Sequence, residues 1–149
     1  MAISRGAGTE IIRCAEFEYI AGSTTAQKLI FGVQHHIYTV LSIVVVSVTA
    51  TTNLKCFLVG YDAVGGTTAQ YMHYFNTGAM SADATFVWND KFSFNGFEPT
   101  DFAGPMDNLT KQDAIADQGS GVAQYLNADT THAGDDLDIH ITYIDQNNE

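Results

Sequence analysis

The run HIYTVLSIVVVSV, residues 36–48, constrains this chain more than any other stretch. It is rich in β-branched residues, which are stiff at χ1 and pack well on a pleated surface. Successive side chains of a strand point to opposite faces. One parity of this run carries Ile37, Leu41, Ile43 and Val45, and the other carries Val40, Val44, Val46 and Val48. A half-solvated antiparallel strand alternates apolar with polar, so a strand that is apolar on both sides must be covered twice. The second cover is either another layer of the same chain or another subunit.

The chain has 149 residues, which fits one domain able to bury a real core without staples. A hydrophobic fraction of 46 % with 15 % charged residues is a globular composition. The apolar run is too short and too broken by Thr and Ser to cross a bilayer as a helix. The opening MAISRGAGTE lacks the basic and apolar regions of a signal peptide, so the expectation is a soluble protein with no membrane partner.

The formal net charge is −11, and it is unevenly placed. Residues 1–60 carry Arg5, Arg13, Lys28 and Lys55 against Glu10, Glu16 and Glu18, whereas residues 61–149 carry two basic and 14 acidic residues. Nucleic-acid binding needs Lys and Arg to neutralise phosphates, so no nucleic-acid partner is expected. The acidic second part reads as a solvated face that keeps the particle soluble. Cys14 and Cys56 fit neither a disulfide framework nor a metal knuckle, and both read as small buried thiols in strands.

Strands are expected over 9–20, 28–33, 36–48, 54–61, 71–75, 86–94, 122–127 and 137–144. The segments 36–48 and 54–61 make the best candidate hairpin. On 9–20 the odd positions Ile11, Ala15, Phe17 and Tyr19 form the apolar face, and Phe86, Trp88, Phe92 and Phe94 share one parity with a turn or bulge at Asn89-Asp90. The cleanest alternation puts Leu137, Ile139, Ile141 and Tyr143 inward and Asp138, His140 and Thr142 outward. Residues 95–110 form a loop holding Pro99 and Pro105, and 111–118 suit a short helical turn. Many short strands and almost no helix predict an antiparallel β-sandwich of jelly-roll topology over 9–149, preceded by a flexible arm over 1–8.

No constellation predicts catalysis. His35, His36 and His140 lack the His-x-His and Glu pattern of a cupin-like metal site. Asp129, Asp135, Asp136 and Asp138 crowd one region but do not match a calcium loop, and read as a charged surface. No nucleophile elbow surrounds any serine. The expectation is therefore no catalytic residue, no metal and no cofactor. Phe97 and Phe102 lie in an apolar loop and are free to be contact residues, since exposed apolar patches mark interaction surfaces.

The blocks MAISRGAGTEIIR, GVQHHIYTVLSI, FVWNDKFSFNGFEPTDFAGPMD and YIDQNNE together resemble small structural proteins of tailed phages, especially marine ones. The resemblance implies a capsid decoration (cement) protein: a β-sandwich, often a homotrimer, on the outside of the virion head, clamping the major capsid protein after assembly in the host cytoplasm. It carries over no enzymatic residue. Under it, Arg5, Arg13, Phe97 and Phe102 are the expected capsid contacts, and Val44, Val46 and Val48 the expected self-association surface. The alternative is a receptor- or glycan-binding sandwich of a spike or tail fibre, with Trp88, Phe97 and Phe102 as its aromatic platform.

Overall fold

In the computed structural model, the described residues hold nine strands in chain order: β1 (Glu10–Tyr19), β2 (Gln27–Phe31), β3 (His36–Ser47), β4 (Leu54–Tyr61), β5 (Ala69–Asn76), β6 (Thr85–Trp88), β7 (Phe92–Asn95), β8 (Tyr125–Thr130) and β9 (Leu137–Asn147). The structure describes residues 9–19, 26–50, 53–61, 69–97, 122–130 and 134–147. Among them there is no helix. The expected arm 1–8, the helical turn 111–118 and Phe102 lie outside the described residues.

The strands form two antiparallel sheets. Sheet A has the order β1-β9-β3-β6, with β7 also on β3, and sheet B has the order β2-β8-β4-β5. β6 pairs with Ile43–Val46 and β7 with Ile37–Val40, so the two are one edge strand interrupted at residues 89–91. Counted that way the described residues hold eight strands, and apart from the step from β4 to β5 within sheet B the chain alternates between the sheets as a jelly roll does. The expected antiparallel sandwich is the observed fold.

The expected hairpin of 36–48 with 54–61 does not form. β3 has β9 on one side and β6/β7 on the other, while β4 lies between β8 and β5 in the other sheet. Both edges of both strands are taken. The connection leaves β3 instead through the backbone N–H of Val48, which donates to the Asp136 carbonyl at 2.9 Å.

The doubly apolar run also resolves differently from its parity. A β-bulge at Leu41 places the ladder partners Val40↔Tyr143 and Ser42↔Thr142 in succession. One extra residue flips the period-2 pattern. The inward side chains are therefore Tyr38 and Val40 before the bulge, and Ile43 and Val45 after it, all buried. Much of the second apolar face was a change of register within one strand. Val44 and Val46 do remain on the outer face.

The core joins these residues to Leu29, Ile30, Leu54, Cys56, Leu58, Leu126, Ala128, Leu137, Ile139 and Ile141. Phe86, Trp88, Phe92 and Phe94 do face inward, as their shared parity requires. Phe75 of β5 stacks on Trp88 at 5.0 Å, and Tyr74 stacks on Phe92 at 3.8 Å, closing the sandwich along that side. β8 is displaced by three residues from the expected 122–127. The Gln124 backbone is taken up instead by Gly32, whose N–H donates to it, and by Gly96, whose carbonyl accepts from it. A Cβ on Gly32 would overlap the Gly96 carbonyl oxygen, and one on Gly96 would overlap that of Val33, so three segments meet here only because both residues are glycine.

Candidate functional site

β9 runs three residues past the expected end at Ile144, and those residues change the character of the inner face. Its inward row is Leu137, Ile139 and Ile141, then Tyr143 and Asp145. The matching residues of β1 are Arg13 opposite Tyr143 and Ile11 opposite Asp145, and β3 brings Tyr38 and His36. The apolar interior thus ends in a polar pocket at one end of the sandwich. Thr9, Ile11, Arg13, His36, Asp145 and Asn147 line a half-open cavity of about 280 Å³.

Asp145 organises this pocket. Its side chain is 8 % exposed, and each oxygen has a charge-assisted partner: Arg13 Nε–H donates to Oδ2 at 2.7 Å and His36 Nδ1–H to Oδ1 at 2.6 Å. Burial penalises the ionised carboxylate, yet the hydrogen bonds from His36 and Arg13 outweigh it and hold its pKa below the ordinary carboxylate value. The same hydrogen bond and charge raise the pKa of the Arg13 guanidinium. Tyr38 lies under the site, stacked on His36 at 6.0 Å and on Phe94 at 5.4 Å. Burial first, and then the Asp145 charge, push the Tyr38 phenol up to about 12. The imidazole is thus fixed by a carboxylate on one edge and a phenol ring on one face.

The outer face of sheet A divides lengthwise. Across β1, β9, β3 and β6 the register gives the rows Glu16–His140–Val44–Val87 and Glu18–Asp138–Val46–Thr85. Charge lies on the β1/β9 side, where His140 Nε2 is 3.9 Å from Glu16 Oε1. The β3/β6 side is apolar, with Val44, Val46, the exposed Val48 and the exposed Val87. The three valines named from sequence are therefore brought together, and Val87 joins them.

The outer face of sheet B carries an aromatic row that the sequence reading missed. Phe31 pairs with Tyr125, Tyr125 with Val59, and Val59 with Tyr71, so one line crosses all four strands. Phe31 and Tyr71 are each 59 % exposed. Lys28 Nζ sits 4.1 Å from the Tyr125 ring centre. Strand alternation over 27–31 and 125–130 was the available signal, but a bulge at Leu29 and the misplaced start of β8 hid it.

The other expected site residues scatter. Arg13 is committed to Asp145, Phe97 is half-buried and bridges to Ala123, and Trp88 packs against the core. Cys56 is buried, its thiol pushed up to about 12 by desolvation, but Cys14 is exposed on the outer face of sheet A, contrary to expectation. Asp129 faces out from sheet B opposite Lys55, Asp138 faces out from sheet A, and Asp135 is buried, so the acidic residues form no common site. His35 occupies the turn before β3 with a positive φ of 62°.

No protein-family model matches this sequence, and no curated protein matches it. Among solved structures the chain is similar to one described with the words "Bacillus endospore appendages form a novel family of disulfide-linked pili". The identity is 10 % and the TM-score 0.45, over all of this chain and 97 % of that one. A likeness of that size leaves the function to be argued from this chain's own residues.

Proposed function

We propose that this chain is a structural virion protein, a capsid decoration (cement) protein that binds the outside of a major capsid shell and stabilises it, without enzymatic activity. The resemblance of its sequence blocks to tailed-phage structural proteins supports the reading. The observation that carries it is the row Phe31–Tyr125–Val59–Tyr71, which sets an exposed aromatic residue at each edge of sheet B, Phe31 on β2 and Tyr71 on β5. Aromatic anchors dominate the energetics of protein interfaces. At 59 % exposure, covering either Phe31 or Tyr71 is worth about 3 kcal/mol before the costs of association.

The valine patch of sheet A is the proposed self-association surface of a homotrimer, and residues 1–8 with Arg5 are a second proposed anchor to the capsid. The exposed acidic residues of the second part, Asp83 and Asp90 among them, then face solvent. The test is addition of purified protein to undecorated heads of the phage whose genome encodes it, with occupancy counted by electron cryomicroscopy. The wild type should decorate the heads, and the double variant Phe31→Ser/Tyr71→Ser should lose most of that occupancy while keeping its fold. A wild type that leaves such heads bare would overturn the proposal.

A further inference from the structure

We infer that the pocket at the polar end of the sandwich is a binding site for one neutral sugar unit. This inference stands apart from the cement reading, which needs no pocket chemistry. It begins with Asp145, a buried carboxylate that accepts from both Arg13 Nε and His36 Nδ1. The ionised carboxylate can only accept, so Nδ1 carries a proton in this hydrogen bond, and in the neutral form of the ring Nε2 is left as an acceptor. Arg13 spends its Nε–H on Asp145 and keeps its two Nη groups. Among the described residues, neither those groups nor His36 Nε2 has a hydrogen-bond partner.

The pocket therefore presents donors and an acceptor side by side. An anion could use the Arg13 donors but has nothing to give to Nε2 of a neutral His36 ring. A cation would meet the guanidinium. A pair of neighbouring hydroxyls satisfies both, one accepting from Arg13 Nη and the other donating to His36 Nε2. Thr9 contributes a further hydroxyl to the lining, and Ile11 an apolar wall suited to the C–H face of a pyranose. At about 280 Å³ the cavity is at the small end of ligand pockets, sized for one sugar ring and not an oligosaccharide. The net charge of −11 adds a long-range penalty against anionic ligands.

The arrangement is also pre-organised. Tyr38 stacks on the His36 ring, Asp145 holds both functional side chains, and all three residues sit on β-strands of one sheet. Little side-chain entropy remains to be lost when a ligand arrives, which favours measurable binding by so small a contact.

The test is a titration of the full chain, followed by backbone amide NMR, with the methyl glycosides of glucose, galactose, mannose and N-acetylglucosamine. At least one should bind saturably with a dissociation constant in about the millimolar range, and shifts should centre on Ile11, Arg13, His36 and Asp145. His36→Ala and Arg13→Ala should each weaken binding at least about tenfold, the loss expected when a ligand hydroxyl goes unpaired. Should either variant fold poorly, Arg13→Lys and His36→Gln keep a polar group near each position and serve the same comparison. Asp138→Asn, on the opposite face of β9, should bind as the wild type does. No saturable shift with any of the four glycosides would overturn the inference. So would shifts centred elsewhere, or tighter binding of glucuronate or sulfate, which would mark an anion site.

Discussion

His36 and Asp145 are diagonal neighbours on adjacent antiparallel strands, 109 residues apart in sequence, with Nδ1 2.6 Å from Oδ1. The pair ties β3 to β9 where the apolar core has ended, so hydrogen bonding takes over from burial there. A hydrogen bond to a charged, largely buried acceptor is worth about 1.5–3 kcal/mol. Asp145→Ala should destabilise the protein by about that amount in urea unfolding. A double-mutant cycle with His36→Ala should give a coupling of about 1 kcal/mol or more. A coupling within error of zero would show that the contact does not contribute to stability.

The same site sets a pH dependence at both ends of the scale. Asp145 titrates below its unfolded value, so its contribution is present above about pH 4 and is lost as the pH falls through the folded pKa. Tyr38 titrates near 12 when folded against about 10 unfolded, so its contribution is present below about pH 10 and is lost as the pH rises toward 12. The midpoint of thermal unfolding should fall at both extremes. Asp145→Asn should flatten the acid limb and Tyr38→Phe the alkaline limb. Unchanged limbs would assign the pH response to other groups.

The fold was largely legible because strands announce themselves by alternation, as β7 and the first two-thirds of β9 do, or by short β-branched and apolar runs between turns, as β3 and β4 do. The pocket was not. Asp145, Gln146 and Asn147 look like the polar end of a strand, and nothing local shows that Asp145 points inward. Its partners Arg13 and His36 lie 132 and 109 residues away, beyond any spacing rule. Bulges account for most of the remaining misreadings. Those at Leu29 and Leu41 each shift parity by one residue, and a bulge leaves no mark in composition.

The two cysteines should separate by reactivity. Cys14 is exposed on the outer face of sheet A, while Cys56 is in the core with its thiol pushed up to about 12. The thiolate is the reactive form, so a disulfide reagent at neutral pH should modify one thiol per native chain quickly and the second only on unfolding. Cys14→Ser should abolish the fast phase. A fast phase of two thiols would mean that the core opens readily or that Cys56 lies elsewhere.

If the valine patch holds copies of the chain together, a charge there should separate them without unfolding them. Val44 and Val46 face away from the core, on the two neighbouring rows that carry Val87 and Thr85 respectively. Light scattering should report a trimer for the wild type and monomers for Val46→Asp, with the β-sheet circular dichroism unchanged. A monomeric wild type would remove the self-association proposal. An unfolded Val46→Asp would point to a structural role for the residue, and Val87→Asp on the neighbouring strand would then decide between the two.

The bulge itself makes the most discriminating case, because it predicts that two one-residue deletions in the same strand behave in opposite ways. Leu41 is the residue β3 inserts between its pairings with Tyr143 and Thr142. Removing it would let Val40 and Ser42 follow one another in a regular ladder, with Val40 inward, Ser42 outward, and Ile43 and Val45 still inward. The loss should be limited to one half-buried leucine and some strain against the break between β6 and β7, about 1–3 kcal/mol. Deleting Val44 has no such remedy. With the bulge kept, Val45 would move to the outer face and Val46 to the inner, displaced against Ile139 and Leu137 of β9; with the bulge closed to absorb the deletion, Ser42 would turn into the core opposite Ile141 and Ile43 out of it. The Leu41 deletion should therefore give a folded protein with a lowered unfolding midpoint, and the Val44 deletion an insoluble or unfolded one. If the two deletions are equally tolerated, or equally destructive, β3 does not change parity at Leu41.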